Sequence, residues 1–124
     1  MEKRFMKVHV CHLHDVYKST LDDLLKILSR AKSHGVKRMM LTSTTLEDLN
    51  GNLSLIEHLQ DEELTLSTTV GVHPTRCMDL ENDPSMINGL LEVWRKNRDK
   101  ISAIGEFGLD YDRLDFCEKD VQKK

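Results

Sequence analysis

Histidines and carboxylates recur in this chain at the ends of short apolar runs. The run CHLHD places His12 and His14 two residues apart. In an extended strand that spacing puts both imidazoles on one face, which suits chelation, although the pair also reads as an ordinary polar strand end. His73 directly precedes Pro74 in GVHPTRC, and either bears chemistry or is a plain loop residue. Glu106 stands in IGEFGLDYDRLDFC, after Gly105 and two residues before Gly108. A carboxylate at the end of an apolar strand is costly to place unless it has a partner. Imidazole and carboxylate together make the donor set of a hard-to-borderline divalent metal, which could activate water and clamp a phosphate. Asp110, Asp112 and Asp115 follow in the same run and also read as solvated surface.

These residues need elements to hold them. The stretch 5–11, FMKVHVC, alternates loosely and reads as a strand. Ser19 and Thr20 then offer hydroxyl caps, and Leu21, Leu24, Leu25, Leu28 and Ala31 recur at helical spacing up to a His34-Gly35 stop. The stretch 36–42 reads as a second strand. The stretch 45–59 reads as a helix with Leu46, Leu49, Leu53, Ile56 and Leu59 on one side, weakened by Gly51. The β-branched stretch 64–72 reads as a third strand that ends before Pro74. A loop rich in Asp, Glu and Asn runs to Pro84, a suitable first-turn residue. Met86, Ile87, Leu90, Leu91 and Trp94 form the apolar face of the next helix, and 101–105 is a fourth strand.

Strand–helix repeated three times before a final strand predicts an α/β fold with about four parallel strands and three helices. In such folds active groups collect at the carboxyl ends of strands. His12, His14, His73 and Glu106 all fall at predicted strand ends.

The chain has 124 residues, enough for one domain, and no linker or repeat beyond this β–α period divides it. Hydrophobic residues make up 39% and charged residues 31%, with a net charge of −3, so a strongly basic nucleic-acid coat is absent. The three cysteines, Cys11, Cys77 and Cys117, are widely spaced. That pattern argues against a disulfide framework or a zinc knuckle and points to a reducing, intracellular compartment, cytoplasmic and/or nuclear. No apolar run approaches the ~20 residues of a membrane span, so no membrane partner is expected.

The blocks VGVHPTRC (70–77, with the valine first) and AIGEFGLDYDRLDFC (103–117) resemble the TatD-type metal-dependent deoxyribonucleases, most of all their eukaryotic branch. The segment LDDLLKILSRAKSHGVKRMMLTST (21–44) resembles the same family. The resemblance implies the N-terminal half of an amidohydrolase-like TIM-type (β/α)8 barrel, a single incomplete domain over 1–124, and a family about twice this length. It implies DNA as the substrate, phosphodiester hydrolysis, and a divalent metal, with Mg²⁺ foremost and Mn²⁺ or Zn²⁺ as alternatives. By the same resemblance Glu106 is a metal ligand bridging two ions and His73 lies beside the substrate phosphate. Arg76, Arg113 and Asp110 fall where substrate contacts are expected. The family's opening His-x-His matches this chain only in part: His12 takes its second histidine while Val10 stands at its first, and His12 with His14 offers a shifted pair. The remaining family ligands, two histidines and an aspartate, have no counterpart within 1–124. Two expectations follow: little nuclease activity from 1–124 alone, and an exposed half-barrel face open to self-association, the non-catalytic alternative.

Overall fold

A computed structural model describes residues 21–124. The first predicted strand, 5–11, and the candidate ligands His12 and His14 lie outside the described residues. The described elements run α1 (Leu21–Ser33), β1 (Arg38–Leu41), α2 (Leu46–Leu59), β2 (Thr65–Val70), a 3-10 turn (Pro74–Arg76), α3 (Cys77–Asn82), α4 (Met86–Lys96), β3 (Ile101–Ile104) and α5 (Lys119–Gln122).

Each long helix carries its own boundary signals. α1 has Asp22 and Asp23 in its first turn and Arg30 and Lys32 in its last, matching the helix dipole at both ends. It stops at Gly35, where φ is +79°. Gly35 N–H donates to the Lys32 carbonyl (2.9 Å) and Val36 N–H to the Ala31 carbonyl (3.0 Å). That left-handed termination suits glycine, which has no Cβ to clash. In α2 the Thr45 hydroxyl accepts from Asp48 N–H at 3.1 Å, so Thr45 is the cap and not the first helical residue. Leu49, Asn52, Leu53 and Ile56 form its buried face at helical spacing, and Gly51 does not interrupt the helix.

The three strands form one parallel sheet in the order β1-β2-β3. Met39 pairs with Leu66 and Leu41 with Thr68 across β1 and β2. Thr68 pairs with Ile101 across β2 and β3, and the register then shifts between Thr68 and Thr69. That shift carries the end of β3 towards the end of β2. Two apolar clusters flank the sheet. Leu28, Ala31, Val36, Met39, Leu41, Ile56, Leu64 and Leu66 pack in one. Leu49, Leu53, Val70, Val72, Leu90 and Ile101 pack in the other. Fully buried side chains such as Leu49 and Ile56 each contribute about 2–3 kcal/mol through burial alone.

Two short helices add to the three that periodicity predicts. The stretch read as a loop before Pro84 holds the 3-10 turn and α3, and α5 closes the described chain. Past β3 the apolar side chains are uncovered: Ile104 is 75% exposed, Phe107 70% and Phe116 66%. Among the described residues β3 pairs only with β2, so its other edge lies open beside them.

Candidate active site

The carboxyl ends of all three strands meet at one place. β1 runs into Thr42–Thr45, β2 into Gly71-Val72-His73, and β3 into Gly105-Glu106. Backbone hydrogen bonds tie the three together. His73 N–H donates to the Thr44 carbonyl (3.0 Å), Glu106 N–H to the Ser43 carbonyl (3.3 Å), and Gly105 N–H to the Val70 carbonyl (2.8 Å). The turn after β1 is therefore a shared template for both candidate residues.

That turn is itself fixed from below by buried polar side chains. Asn52, on α2, directs its amide at Ser43 Oγ (3.0 Å), Thr68 Oγ1 (3.2 Å) and the Thr42 carbonyl (3.3 Å). The Thr68 hydroxyl donates to the Leu41 carbonyl (3.0 Å), which leaves its oxygen to accept from the Ser43 hydroxyl (3.0 Å). Ser43 N–H donates to Thr69 Oγ1 at 3.0 Å. Asp48 accepts from the Thr44 N–H at 3.1 Å and also from the Thr44 hydroxyl. No buried side-chain nitrogen or oxygen among the described residues is left without a partner. A satisfied network of this kind holds one geometry, because each member loses a partner if another moves.

His73 and Glu106 face each other, with Nε2 and Oε2 3.9 Å apart. The His73 ring is oriented from its other side. Its Nδ1 accepts from Thr75 N–H at 3.1 Å and lies 2.8 Å from the Thr75 hydroxyl. With Nδ1 an acceptor, the neutral ring carries its proton on Nε2, so the edge facing Glu106 is an N–H donor. Both side chains line an open cleft of about 430 Å³ with Gly105, Phe107, Leu109, Asp110 and Arg113. Gly105 and Gly108 have φ of +143° and +128°, a conformation that gives the backbone around Glu106 room without side chains.

The other candidates divide. Arg113 reaches the cleft, where its Nε donates to Asp110 Oδ2 at 2.5 Å. Asp110 is well occupied: Oδ1 also accepts from Asp112 N–H (3.2 Å), and its backbone is held at both ends by Gln122. Arg76 points elsewhere, donating from Nε to Asp79 Oδ2 at 2.8 Å, three residues along. Among the described residues no group of three or more His, Cys, Asp or Glu side chains comes together as a complete metal site. Gly71, Asn52 and Ser43 matter to the geometry, yet only their position near strand ends or on a helix face marked them in the sequence.

Comparison with known proteins identifies the family and the fold. The family model described as TatD related DNase matches residues 9–124. The chain belongs to the TatD related DNase family. A TatD-family relative from Schizosaccharomyces pombe, named Deoxyribonuclease Tat-D, is 37% identical over 108 residues, covering 82% of this chain and 33% of the relative. A Bacillus subtilis protein named Uncharacterized metal-dependent hydrolase YabD is 30% identical over 103 residues, covering 82% of this chain and 36% of its own length. A crystal structure of a TatD-family hydrolase from Entamoeba histolytica superimposes with a TM-score of 0.79 at 35% identity, covering 90% of this chain and 37% of that one. An amidohydrolase from Saccharomyces cerevisiae gives 0.66 at 27% identity, with 89% and 37% coverage. The α/β arrangement is thus that of one part of the TatD-type amidohydrolase barrel. The chain spans about a third of the length of these relatives, where the sequence resemblance implied about half.

Proposed function

We propose that this chain carries the Glu106–His73 portion of a divalent-metal-dependent deoxyribonuclease site. The observation that carries the reading is the 3.9 Å approach of His73 Nε2 to Glu106 Oε2 in a cleft formed by strand ends. A carboxylate oxygen is a hard donor that fits Mg²⁺ or Mn²⁺, and Glu106 would supply one corner of such a site. His12 and His14 are proposed as further ligands. When bound, the ion would supply Lewis-acid stabilisation of a phosphoryl centre and lower the pKa of the attacking water.

The chain's own groups divide the remaining work. His73, its Nδ1 held by Thr75, would direct the Nε2 proton at a non-bridging phosphate oxygen and so orient the phosphodiester. Preorganised donors of this kind stabilise charge that develops in the transition state. Arg113 would add positive charge at the rim once it exchanges Asp110 for phosphate. Arg76 remains a candidate for the same role if it leaves Asp79. Residues 1–124 by themselves are expected to show little or no cleavage, because the two histidines and the aspartate that the family resemblance implies as further ligands have no counterpart among them.

Replacing the matching segment of the Schizosaccharomyces pombe relative with residues 9–124 tests the reading. Mg²⁺-dependent cleavage of labelled DNA by the chimera, abolished in Glu106→Ala and cut at least 100-fold in His73→Ala, is the expected result. A folded chimera that cleaves equally well with Glu106→Ala overturns it. Strong Glu106-dependent cleavage by residues 1–124 alone would overturn the expectation of inactivity.

The exposed Ile104, Phe107 and Phe116 beside the open edge of β3 favour a second reading, a non-catalytic module that pairs with another copy. Light scattering after size exclusion separates the two. A monodisperse dimer that Phe107→Lys converts to monomer supports pairing, and a wild-type monomer rules it out.

A further inference from the structure

Cys77 and Cys117 are about 40 residues apart in sequence, on segments that meet where α3 packs against α5. Cys77 is the first residue of α3, directly after the turn that carries His73, and its Sγ lies 4.0 Å from the His73 carbonyl. Cys117 lies near enough on its other side to act on the thiol. Cys117 lies just before α5 and is 2% exposed. α3 and α5 pack against each other. Gln122 fixes the Cys117 segment by donating to the Cys117 carbonyl (2.8 Å) and the Asp110 carbonyl (2.9 Å). Cys77 thus follows the turn that carries His73, and Cys117 belongs to the segment that Gln122 ties to Asp110, so the two thiols link the segments that supply the two walls of the cleft.

We propose that Cys77 and Cys117 are a reversible disulfide site that staples these two walls together. Nothing in this proposal depends on what the cleft binds. The segments that carry them already pack together through α3 and α5, so the link needs the two sulfurs to close to about 2.0 Å. The oxidant is a peroxide. One thiolate attacks a peroxide oxygen, the O–O bond breaks, and hydroxide leaves, giving a sulfenic acid. The second thiol displaces the sulfenic oxygen as water and forms the S–S bond. In total two thiols and one hydrogen peroxide give one disulfide and two waters, and a dithiol reductant reverses it by exchange. Cys77 is only partly exposed and is the sulfur that peroxide reaches first, with Cys117 as the resolving partner. Burial pushes the Cys77 thiol above its ordinary value, and the neighbouring Cys117 adds to this. Thiolate is therefore scarce at neutral pH, and oxidation accelerates as pH rises.

The experiment is peroxide treatment of the purified chain, followed by alkylation in denaturant and non-reducing peptide mapping. Alkylatable thiols are expected to fall from three to one, with a Cys77–Cys117 linked peptide, Cys11 still alkylated, and recovery of all three with dithiothreitol. The oxidised chain is expected to melt at a higher temperature, since the link restricts a long loop in the unfolded chain. Cys77→Ser and Cys117→Ser are each expected to abolish the linked peptide. Cys77 and Cys117 both remaining alkylatable overturns the proposal. So does a link from either one to Cys11 or to a second molecule, or an oxidised form that melts no higher than the reduced one. The wild-type map decides the matter even if a serine variant fails to fold.

Discussion

Gly71 and Glu106 meet backbone to backbone: a Cβ at position 71 would lie 2.5 Å from the Glu106 carbonyl oxygen and 2.7 Å from the Gly105 carbonyl carbon. The requirement for glycine here is space, not an unusual φ. The obstacles are backbone atoms that cannot rotate away. Gly71→Ala must therefore push the Glu106 segment off the turn after β1 or distort β2. The expected cost is about 1–3 kcal/mol in denaturant unfolding, as for other overpacked sites. Slower Mg²⁺-dependent cleavage by the chimera that carries residues 9–124 should accompany it. Wild-type stability and a wild-type chimera rate together would show that the contact does not hold Glu106.

Asn52 reaches the site only through other groups. Its amide holds Ser43 Oγ and the Thr42 carbonyl, while the Ser43 and Thr44 carbonyls hold the Glu106 and His73 amides. Asn52→Leu keeps the volume but strands buried acceptors, at a cost of about 1–3 kcal/mol. Ser43→Ala removes one of those acceptors. The double variant Asn52→Leu/Ser43→Ala should be less destabilised than the sum of the singles, by about 0.5 kcal/mol or more. Strict additivity in urea melts would mean that the two side chains are not coupled.

Much of the fold was legible because apolar spacing and end signals agreed. The buried set of α2 is a subset of its predicted stripe, joined by Asn52, and the Gly35 stop of α1 is a true left-handed termination. α3 was not legible. Its sequence CMDLEN has no apolar stripe and none of its residues is buried, so its helicity rests on the preceding turn and on packing against α5. The pairing of His73 with Glu106 followed from both lying at strand ends. What holds them was hidden, because Ser43 and Thr44 act through carbonyls that every residue possesses. Arg76 adds what its motif did not show: an aspartate three residues on pairs with its guanidinium.

Asp61 joins α1 to the turn before β2. Its Oδ2 accepts from Lys32 Nζ at 2.6 Å, and Oδ1 accepts from the Glu63 and Leu64 amides at 2.9 Å each. The Lys32 hydrogen bond is the main reason its carboxyl lies below its ordinary value of 3.8. A carboxylate with a depressed folded pKa stabilises the fold at pH above its unfolded value, and that stabilisation is lost as pH falls through the folded one. Asp61→Asn keeps an oxygen for the amides and removes the charge. It should lower Tm slightly at pH 7, and the gap to wild type should narrow below about pH 4. A gap that persists unchanged at pH 2.5 would assign the effect to shape and not to charge. The site is exposed, so added salt should narrow the gap at pH 7 as well.

Gln122 clamps the far wall of the cleft with both ends of its amide. Oε1 accepts from Asp110 N–H at 2.7 Å, and Nε2 donates to the Asp110 and Cys117 carbonyls at 2.9 and 2.8 Å. It is buried, so Gln122→Ala leaves these groups to find water or go unpaired, at a cost of about 1–3 kcal/mol. Gln122→Glu should be no better at neutral pH. It keeps an acceptor for Asp110 N–H but turns an oxygen towards two carbonyls that need a donor. Hydrogen exchange separates a local clamp from a global prop. Exchange at the Asp110 amide should accelerate strongly in Gln122→Ala, while amides in β1 and β2 slow or quicken only with global stability. Equal acceleration everywhere would make Gln122 a general packing residue. Selective acceleration at Asp110 would identify it as the residue that keeps Asp110 and Arg113 at the cleft facing His73.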